Sequence, residues 1–594
     1  MTALLEAPET VQQPEPQPRR FNRVDALVML AYALAAFLIY AGLWTHLGGG
    51  YLYFSAQDQN MWEWFFDVTA HSVFNWQNPL LSTLQNYPLG VNLMANTAMF
   101  GLGIPLSPVT MLFGPTATWA ITLTGGLAGT AAAWYWVFSR HLVDSRVAAA
   151  IGGVFCGFAP AMISHGNAHP NFVGLFVIPF IVLRLIRLAQ GRRPVRDGII
   201  LGLLLAYQVF LGEEPLLISM LAFAVFAIAY VASRPRTALP MVRPMAIGLV
   251  IAGVIAVAIT IYPLWFQFFG SQSYTTLEHG PVGNDTAAFT RFATESVAGQ
   301  ADAAADVSMN RTEENAFFGW PLIVFMVVLT IWLWRVVLAR AIAISMFMMA
   351  WLSLGVEMVV DHNPTGIPGP WKLLANLPLF DSLLESRLAM GCIPAVGALL
   401  AIATDRVFQA SPSFRDARLP LRGLWIGALV AVLLPIAPTP LETVTRPVTP
   451  AFFTDGTWKQ YVTTGSVVAV PLPSSGDATA LHWQVDADLG FPIADGYFVG
   501  PMGPEDKRGE YGAPWTATAS LLDAVRDKGE VPAITDQQRA QALADLRYWH
   551  ANVVVLAPTT TNQQALQTTV ELLLRQPAQY VDGVWLWDVR ALTS

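Results

Sequence analysis

The chain has 594 residues, of which 54% are hydrophobic and only 12% charged. Soluble globular proteins carry about 25% charged residues, so an ordinary soluble enzyme, a disordered chain and a nucleic-acid binder are excluded. The net charge of -8 offers no basic footprint for nucleic acid, and two cysteines within apolar runs, Cys156 and Cys392, exclude a disulfide scaffold or a cysteine-ligated zinc site.

Residues 1–24 are polar, rich in Pro and Gln, and read as a disordered cytoplasmic tail, with Arg19, Arg20 and Arg23 just before the first apolar run. That run is too long for a signal-peptide core and reads as an uncleaved anchor. Apolar runs long enough to cross a bilayer recur near 26–47, 117–138, 147–163, 171–187, 198–213, 216–232, 245–266, 317–336, 341–358, 388–405 and 422–440. With about eleven spans, every arginine-rich loop falls on one side. These loops hold Arg140 and Arg146, then Arg184, Arg187, Arg192, Arg193 and Arg196, then Arg234, Arg236 and Arg243, then Arg335 and Arg340, and finally Arg406, Arg415, Arg418 and Arg422. The opposite loops hold only Arg291, Arg311, Lys372 and Arg387. Positive charge stays in the cytoplasm, so the chain beyond residue 440 is expected outside it. The apolar segment 97–114 is interrupted by Pro105 and Pro108. Counting it as a span would invert every later loop, so it reads as a re-entrant or interfacial element.

Hydrophobicity falls after residue 441. Ser466–Pro471, Asn552–Ala557 and Val584–Val589 read as strands, and Asp536–His550 and Thr561–Arg575 as helices. Their alternation predicts a small extracytoplasmic α/β domain over 441–594, beside a transmembrane domain over 25–440. Between these elements Phe491–Pro504, rich in Gly, Pro and aromatics, reads as an ordered loop, either structural or in contact with a sugar or partner.

The polar residues with chemical potential lie in the expected outer loops. Asp58 follows the first span among aromatics, where a low-dielectric setting raises a carboxyl pKa towards that of a working general base; the other reading is a helix cap at the bilayer surface. The amide-rich stretch Gln85–Asn92 offers hydrogen bonds to hydroxyls, or simply turns. His165 and His169 are four apart, but Gly166 and Pro170 oppose a regular helix. They could bind a phosphate or hydroxyl, or cap the interface. A metal would need a third ligand, from Glu213 or Asp58. Of Glu213 and Glu214, one is expected in solvent and the other paired with Arg387 or a metal. Arg387 suits bidentate phosphate contacts, with Lys372 as a second candidate; the competing reading pairs Arg387 with Glu385 or Asp381. Gly125, Gly126 and Gly129 lie mid-span and suit helix packing rather than a phosphate loop.

A long first span, an outer loop with an early Asp, the segment Asn92–Pro115 (NLMANTAMFGLGIPLSPVTMLFGP) and the basic turn running from Arg140-His141-Leu142 to Asp144-Ser145-Arg146 together resemble the GT-C superfamily of integral membrane glycosyltransferases, in particular its YfhO-like and actinobacterial members. The likeness covers about residues 25–440 by layout and is most specific over 51–171. It implies a mainly α, polytopic membrane bundle in the cell membrane, a polyprenyl-phosphate-sugar donor, and an extracytoplasmic glycan, lipid or protein acceptor. It also implies that Asp58 is the catalytic base. Many members pair two acidic residues there; this chain has Asp58-Gln59, which weakens metal dependence. No cofactor is therefore expected, with a divalent metal as the alternative. The resulting expectation is an inverting transfer, with Arg387 and Lys372 or His169 stabilising the departing phosphate and the lipid tail between spans. Membrane lipid is an expected partner, nucleic acid is not. The alternatives are a non-catalytic scaffold or a lipid-linked-sugar transporter in envelope assembly.

Overall fold

The computed structural model describes residues 20–277, 279, 282–410 and 419–593. Most of the 1–24 tail, and Arg415 and Arg418, lie outside the described residues. Helices occupy each of the predicted apolar runs, from Arg23–Ile39 and Pro115–His141 to Cys392–Gln409 and Leu419–Leu433, with 147–163 and 171–187 each broken into two. Three helical stretches are long and apolar enough to cross a bilayer unaided: Glu213–Ser233, Ala238–Phe269 and Glu385–Gln409. Their burial separates them: 94% of the most apolar window is buried in the last, against 6% and 17% in the first two. Glu385–Gln409 is thus the bundle's centre, and the other two present apolar surface outward, as only a lipid environment tolerates. The chain is a multi-pass membrane protein. Packing at the centre is backbone against backbone: a Cβ added to Gly152 would lie 2.5 Å from the Gly397 carbonyl oxygen.

Before residue 441, two long helices lie outside the predicted apolar runs. Phe100–Phe113 is continuous through Pro105 and Pro108 and folds back onto Pro115–His141 at Gly114, whose φ of 82° favours glycine. The Thr110 and Thr118 hydroxyls meet across this turn at 2.7 Å. Ala56–Phe74 forms a 19-residue helix within what read as a polar loop. Its buried positions include Gln59, Asn60 and Glu63, so it lacks the apolar periodicity that announces a helix.

Strand pairing constrains the topology. Gly50–Leu52 runs antiparallel to Thr443–Thr445, and the Leu441 amide donates to the Ile39 carbonyl at 2.9 Å. The chain therefore leaves the first and last bundle helices at one end, and the crossings between them must be even in number. From one exit to the other the prediction has ten crossings, nine intervening spans and the last helix, which satisfies this; a further crossing by Phe100–Phe113 alone would not. At the opposite end buried Asp25 accepts bonds from Tyr135 (2.5 Å), Arg140 (3.1 Å) and Arg146 (3.1 Å).

Beyond the bundle, four strands order as Gln579–Val581, Val584–Asp588, Ala551–Leu556 and Ser466–Ala469, with only the last pair parallel. Their alternating side chains serve two cores. Val468, Val554 and Trp587 pack with Leu522, Leu546 and Leu566 of flanking helices, whereas Val467, Val553 and Leu586 join Phe452, Phe453 and Phe491 in the core continuous with the bundle. A buried clasp fastens this part to the loop helix: Arg446 Nη1 and Nη2 meet Glu63 Oε2 and Oε1 at 2.7 and 2.8 Å, and Trp64 Nε1 donates to Gln484 Oε1 at 2.9 Å.

Removing one partner of a buried ion pair leaves the other charge unpaired, which costs about 3–5 kcal/mol. Arg446→Met is expected to lose stability on that scale in detergent-based unfolding, and Glu63→Gln with Arg446→Met to recover at least half. Equal losses in single and double variants would show that the pair is not coupled.

Candidate functional site

The loop helix begins at Ala56 and carries Asp58 in its first turn, half-buried. Asp58 Oδ1 accepts a hydrogen bond from the Tyr497 hydroxyl at 2.6 Å. Tyr497 belongs to the 491–504 loop, which is tied to the segment 85–96 by backbone and amide contacts. The Tyr497 amide donates to Gln85 Oε1 (3.0 Å), the Val499 amide to Asn96 Oδ1 (2.6 Å) and the Asn86 amide to the Asp495 carbonyl (2.7 Å). The amide-rich stretch thus builds backbone. Its Asn92 Nδ2 donates to the Phe266 carbonyl at 2.9 Å.

His165 and His169 approach from a broken segment, where Pro160–His165 and Pro170–Val173 are separate short helices. Their Nδ1 atoms are 2.9 Å apart. A residue that the sequence did not single out, Glu313, completes the group: its Oε1 lies 3.6 Å from His169 Nδ1, and its Oε2 3.8 Å from His165 Nε2. Glu313 is held in turn by Arg387, whose Nε is 3.1 Å from both carboxylate oxygens, with Nη2 on Oε1. Arg387 Nη1 reaches Glu214 Oε2 at 2.6 Å, and the guanidinium lies 4.7 Å over the Phe172 ring.

These contacts correct several expectations. The partners of Arg387 are Glu214 and Glu313, not Glu385 or Asp381; Glu385 instead accepts from the Val282 amide at 3.2 Å. Neither Glu213 nor Glu214 stands free in solvent. Glu213 Oε2 accepts from Gln267 at 2.7 Å, and its Oε1 is buried with no partner among the described residues. The third member of the histidine group is Glu313 rather than Glu213 or Asp58. Lys372 is exposed, and its ammonium makes no hydrogen bond or ion pair among the described residues. Glu313 and Tyr497 escaped the sequence reading because nothing local distinguishes them; their roles arise from neighbours distant in the chain.

The electrostatics follow from burial. Burial pushes the Asp58 carboxyl up to about 6; the Tyr497 bond lowers it, Glu313 raises it and Arg387 lowers it. Burial pushes His165 down to about 4 and His169 down to about 3, so both are neutral. Burial alone would raise the Glu313 carboxyl, but Arg387 and then the two imidazoles overcome it and hold the carboxyl well below the usual range. Asn315 Nδ2 donates to Glu313 Oε2 (2.9 Å) and Ser386 Oγ (3.1 Å), which turns its Oδ1 towards His165 Nε2 at 2.8 Å. Nε2 therefore carries the proton, and Nδ1 offers a lone pair. Two neutral imidazoles and an ionised carboxylate, with ligand atoms all within 4.8 Å of one another, fit a divalent ion. Such an ion would compete with Arg387 for Glu313.

No protein-family model matches the chain, and no curated relative matches it by sequence. Solved structures do match. The arabinofuranosyltransferase AftD from Mycobacteria superposes with a TM-score of 0.52 at 16% identity, over 96% of this chain and 40% of that one. The Archaeoglobus fulgidus oligosaccharyltransferase AglB, in complex with an inhibitory peptide and a dolichol-phosphate, superposes at 0.50 with 10% identity, over 90% of this chain and 69% of that one. The same oligosaccharyltransferase tethered to an acceptor peptide gives 0.50 at 12% identity, with the same coverage. The chain has the GT-C fold. Within it, the described residues place Asp58, His165, His169, Glu214, Glu313 and Arg387 at one end of the bundle, near the strand pair that joins its first and last helices.

An ion that binds only the folded protein stabilises it by about 2.7 kcal/mol at a hundredfold excess over Kd. Mn²⁺ or Zn²⁺ is expected to raise the thermal midpoint of the purified protein, and the variant carrying His165→Gln and His169→Gln to lose that rise. A rise that survives in the variant places the ion elsewhere.

Proposed function

We propose that the chain transfers a sugar, with inversion, from a polyprenyl-phosphate-linked donor to a glycan, lipid or protein acceptor outside the cytoplasm. The observation that carries this reading is a half-buried carboxyl on a GT-C bundle, Asp58, held near neutral pKa beside the Arg387–Glu313–Glu214 cluster. AglB, of the same fold, has been captured with a dolichol-phosphate and a peptide, which supports a lipid-phosphate donor here.

In the proposed reaction the acceptor oxygen attacks the anomeric carbon and its proton passes to Asp58. Tyr497 holds Oδ1, so Oδ2 is the atom presented for that proton. The bond from the anomeric carbon to the phosphate oxygen breaks, and both its electrons leave with the phosphate. Arg387 is the cation of the cluster, but two carboxylates share it, so the cluster alone is not electropositive. A divalent ion held by His165, His169 and Glu313 would supply Lewis-acid stabilisation of the leaving phosphate. Lys372, which contacts none of these groups, has no part in this scheme.

Asp58→Asn is expected to lower turnover by about 10²-fold or more while donor binding survives. In the wild type the rate is expected to rise with pH through a midpoint near 6 and level off above it, because the base works ionised. Tyr497→Phe removes a bond that favours the ionised form, so the midpoint of its pH–rate profile is expected at higher pH. Near-normal transfer by Asp58→Asn, or an unmoved midpoint in Tyr497→Phe, would overturn these roles. The proposed orientation has its own test. A reporter fused after residue 450 should be active outside the cytoplasm and one near Arg193 inside; a cytoplasmic signal at 450 would reverse the assignment.

A further inference from the structure

The bundle contains a cavity of about 1350 Å³ that reaches from beneath the polar cluster to the arginine-rich end. Its inner end is formed by Met162, Phe172, Pro215 and Met390. The Phe172 ring stacks on His165 at 4.7 Å, so the cavity ends directly under the candidate site. Its middle is walled by Ile218, Ala222, Phe223 and Ile342. Its mouth carries Arg140, Arg187, Arg192, Arg193 and Arg196, an excess of positive charge over the three carboxylates there, Asp144, Asp197 and Asp405.

The mouth is more than the ordinary basic face of a membrane protein. Arg140 is held by Asp25 and lies 3.6 Å over the Trp136 ring, and Arg184 behind the mouth is paired with Asp197 at 2.7 Å. The guanidinium groups of Arg187, Arg193 and Arg196, by contrast, form no hydrogen bond or ion pair among the described residues, although Asp197 lies near enough to attract Arg187. The tendency of positive charge to remain in the cytoplasm explains why arginines occur at this end. It does not explain why three unpaired guanidinium groups gather at the mouth of an apolar shaft. Arg236, in the short helix Pro235–Thr237, and Arg243, near the start of Ala238–Phe269, line no part of it. Ligand pockets for small molecules run to about 1,000 Å³, and this shaft is larger, with mainly apolar side chains along its middle. The charges call for an anion and the shaft for a hydrocarbon chain.

We propose that this cavity binds an anionic phospholipid from the leaflet at the arginine-rich end, with its phosphate at Arg187, Arg193 and Arg196 and an acyl chain in the shaft beneath the site. The proposal does not depend on the glycosyl-transfer reading. It is tested on the full chain, delipidated in neutral detergent and titrated with phosphatidylglycerol or phosphatidylcholine, with bound lipid counted by native mass spectrometry. Phosphatidylglycerol is expected to bind roughly tenfold or more tightly, with the preference shrinking at high salt. The combined variant Arg187→Gln, Arg193→Gln and Arg196→Gln should lose the preference, and Arg236→Gln with Arg243→Gln should keep it. Ala222→Phe, which fills the shaft and leaves the charges intact, should weaken phosphatidylglycerol binding. Equal binding of the two lipids, a preference that survives the triple arginine variant, or unchanged binding in Ala222→Phe would overturn the proposal. So would displacement of the lipid by an equal concentration of inorganic phosphate, which would mark a phosphate pocket that does not use the shaft.

Discussion

The guanidinium of Arg387, lying between Glu313 and Glu214, is the contact on which the arrangement of the site depends. Its carboxylate partners come from the long 267–316 loop and from the first turn of Glu213–Ser233, and the arginine itself from the edge of the central helix. A buried charge is tolerated only when paired and bonded. Arg387 therefore requires both carboxylates, and Glu313 requires a cation. Once Glu313 is ionised and buried, its neighbours are constrained as well. The two imidazoles remain neutral because burial outweighs the attraction of the carboxylate, and Asp58 is pushed towards neutrality by burial, with Glu313 contributing. The same triad that holds three segments together thus sets the protonation states around it.

The part beyond residue 441 is built into the site. Tyr497 reaches Asp58, and the loop that carries it is stitched to the segment 85–96 by Gln85, Asn86 and Asn96. The Glu63–Arg446 clasp lies on the same helix as Asp58, little more than one turn further along. One face of the four-stranded sheet joins the core of the bundle. Movement of this part would be transmitted to the carboxyl through Tyr497 and the clasp, since rigid packed elements carry displacement without absorbing it.

The bundle is asymmetric along its axis. One end holds the ionised cluster within a tight network, while the other carries arginines around a wide apolar shaft. The aromatic ring of Phe172 separates the two, touching His165 and Arg387 on one side and closing the shaft on the other. An apolar chain can therefore approach the polar cluster without either environment invading the other, which keeps the electrostatic interactions of the cluster strong.

By itself the sequence determined the membrane bundle. Long apolar runs can satisfy their backbone in lipid only as helices, and a helix stands at each predicted run. The arginine loops and the Arg140–Arg146 turn were legible for the same reason: charge at a membrane border is placed by the bilayer and not by tertiary contacts. Asp58, His165, His169, Glu214 and Arg387 were also legible, as rare polar groups at span edges. Tertiary structure alone decided how they connect. Glu313 and Tyr497 sit in loops without periodicity, and their meaning lies wholly in contacts with residues far away in the chain. The loop helix was hidden because it is buried on several sides and mixes polar with apolar residues there: Trp64, Phe65 and Phe66 are buried beside Gln59 and Glu63, which bond to each other at 2.8 Å, and Glu63 to Arg446. Periodicity reports the burial of apolar side chains, and it is silent where a buried face is held together by hydrogen bonds and charge.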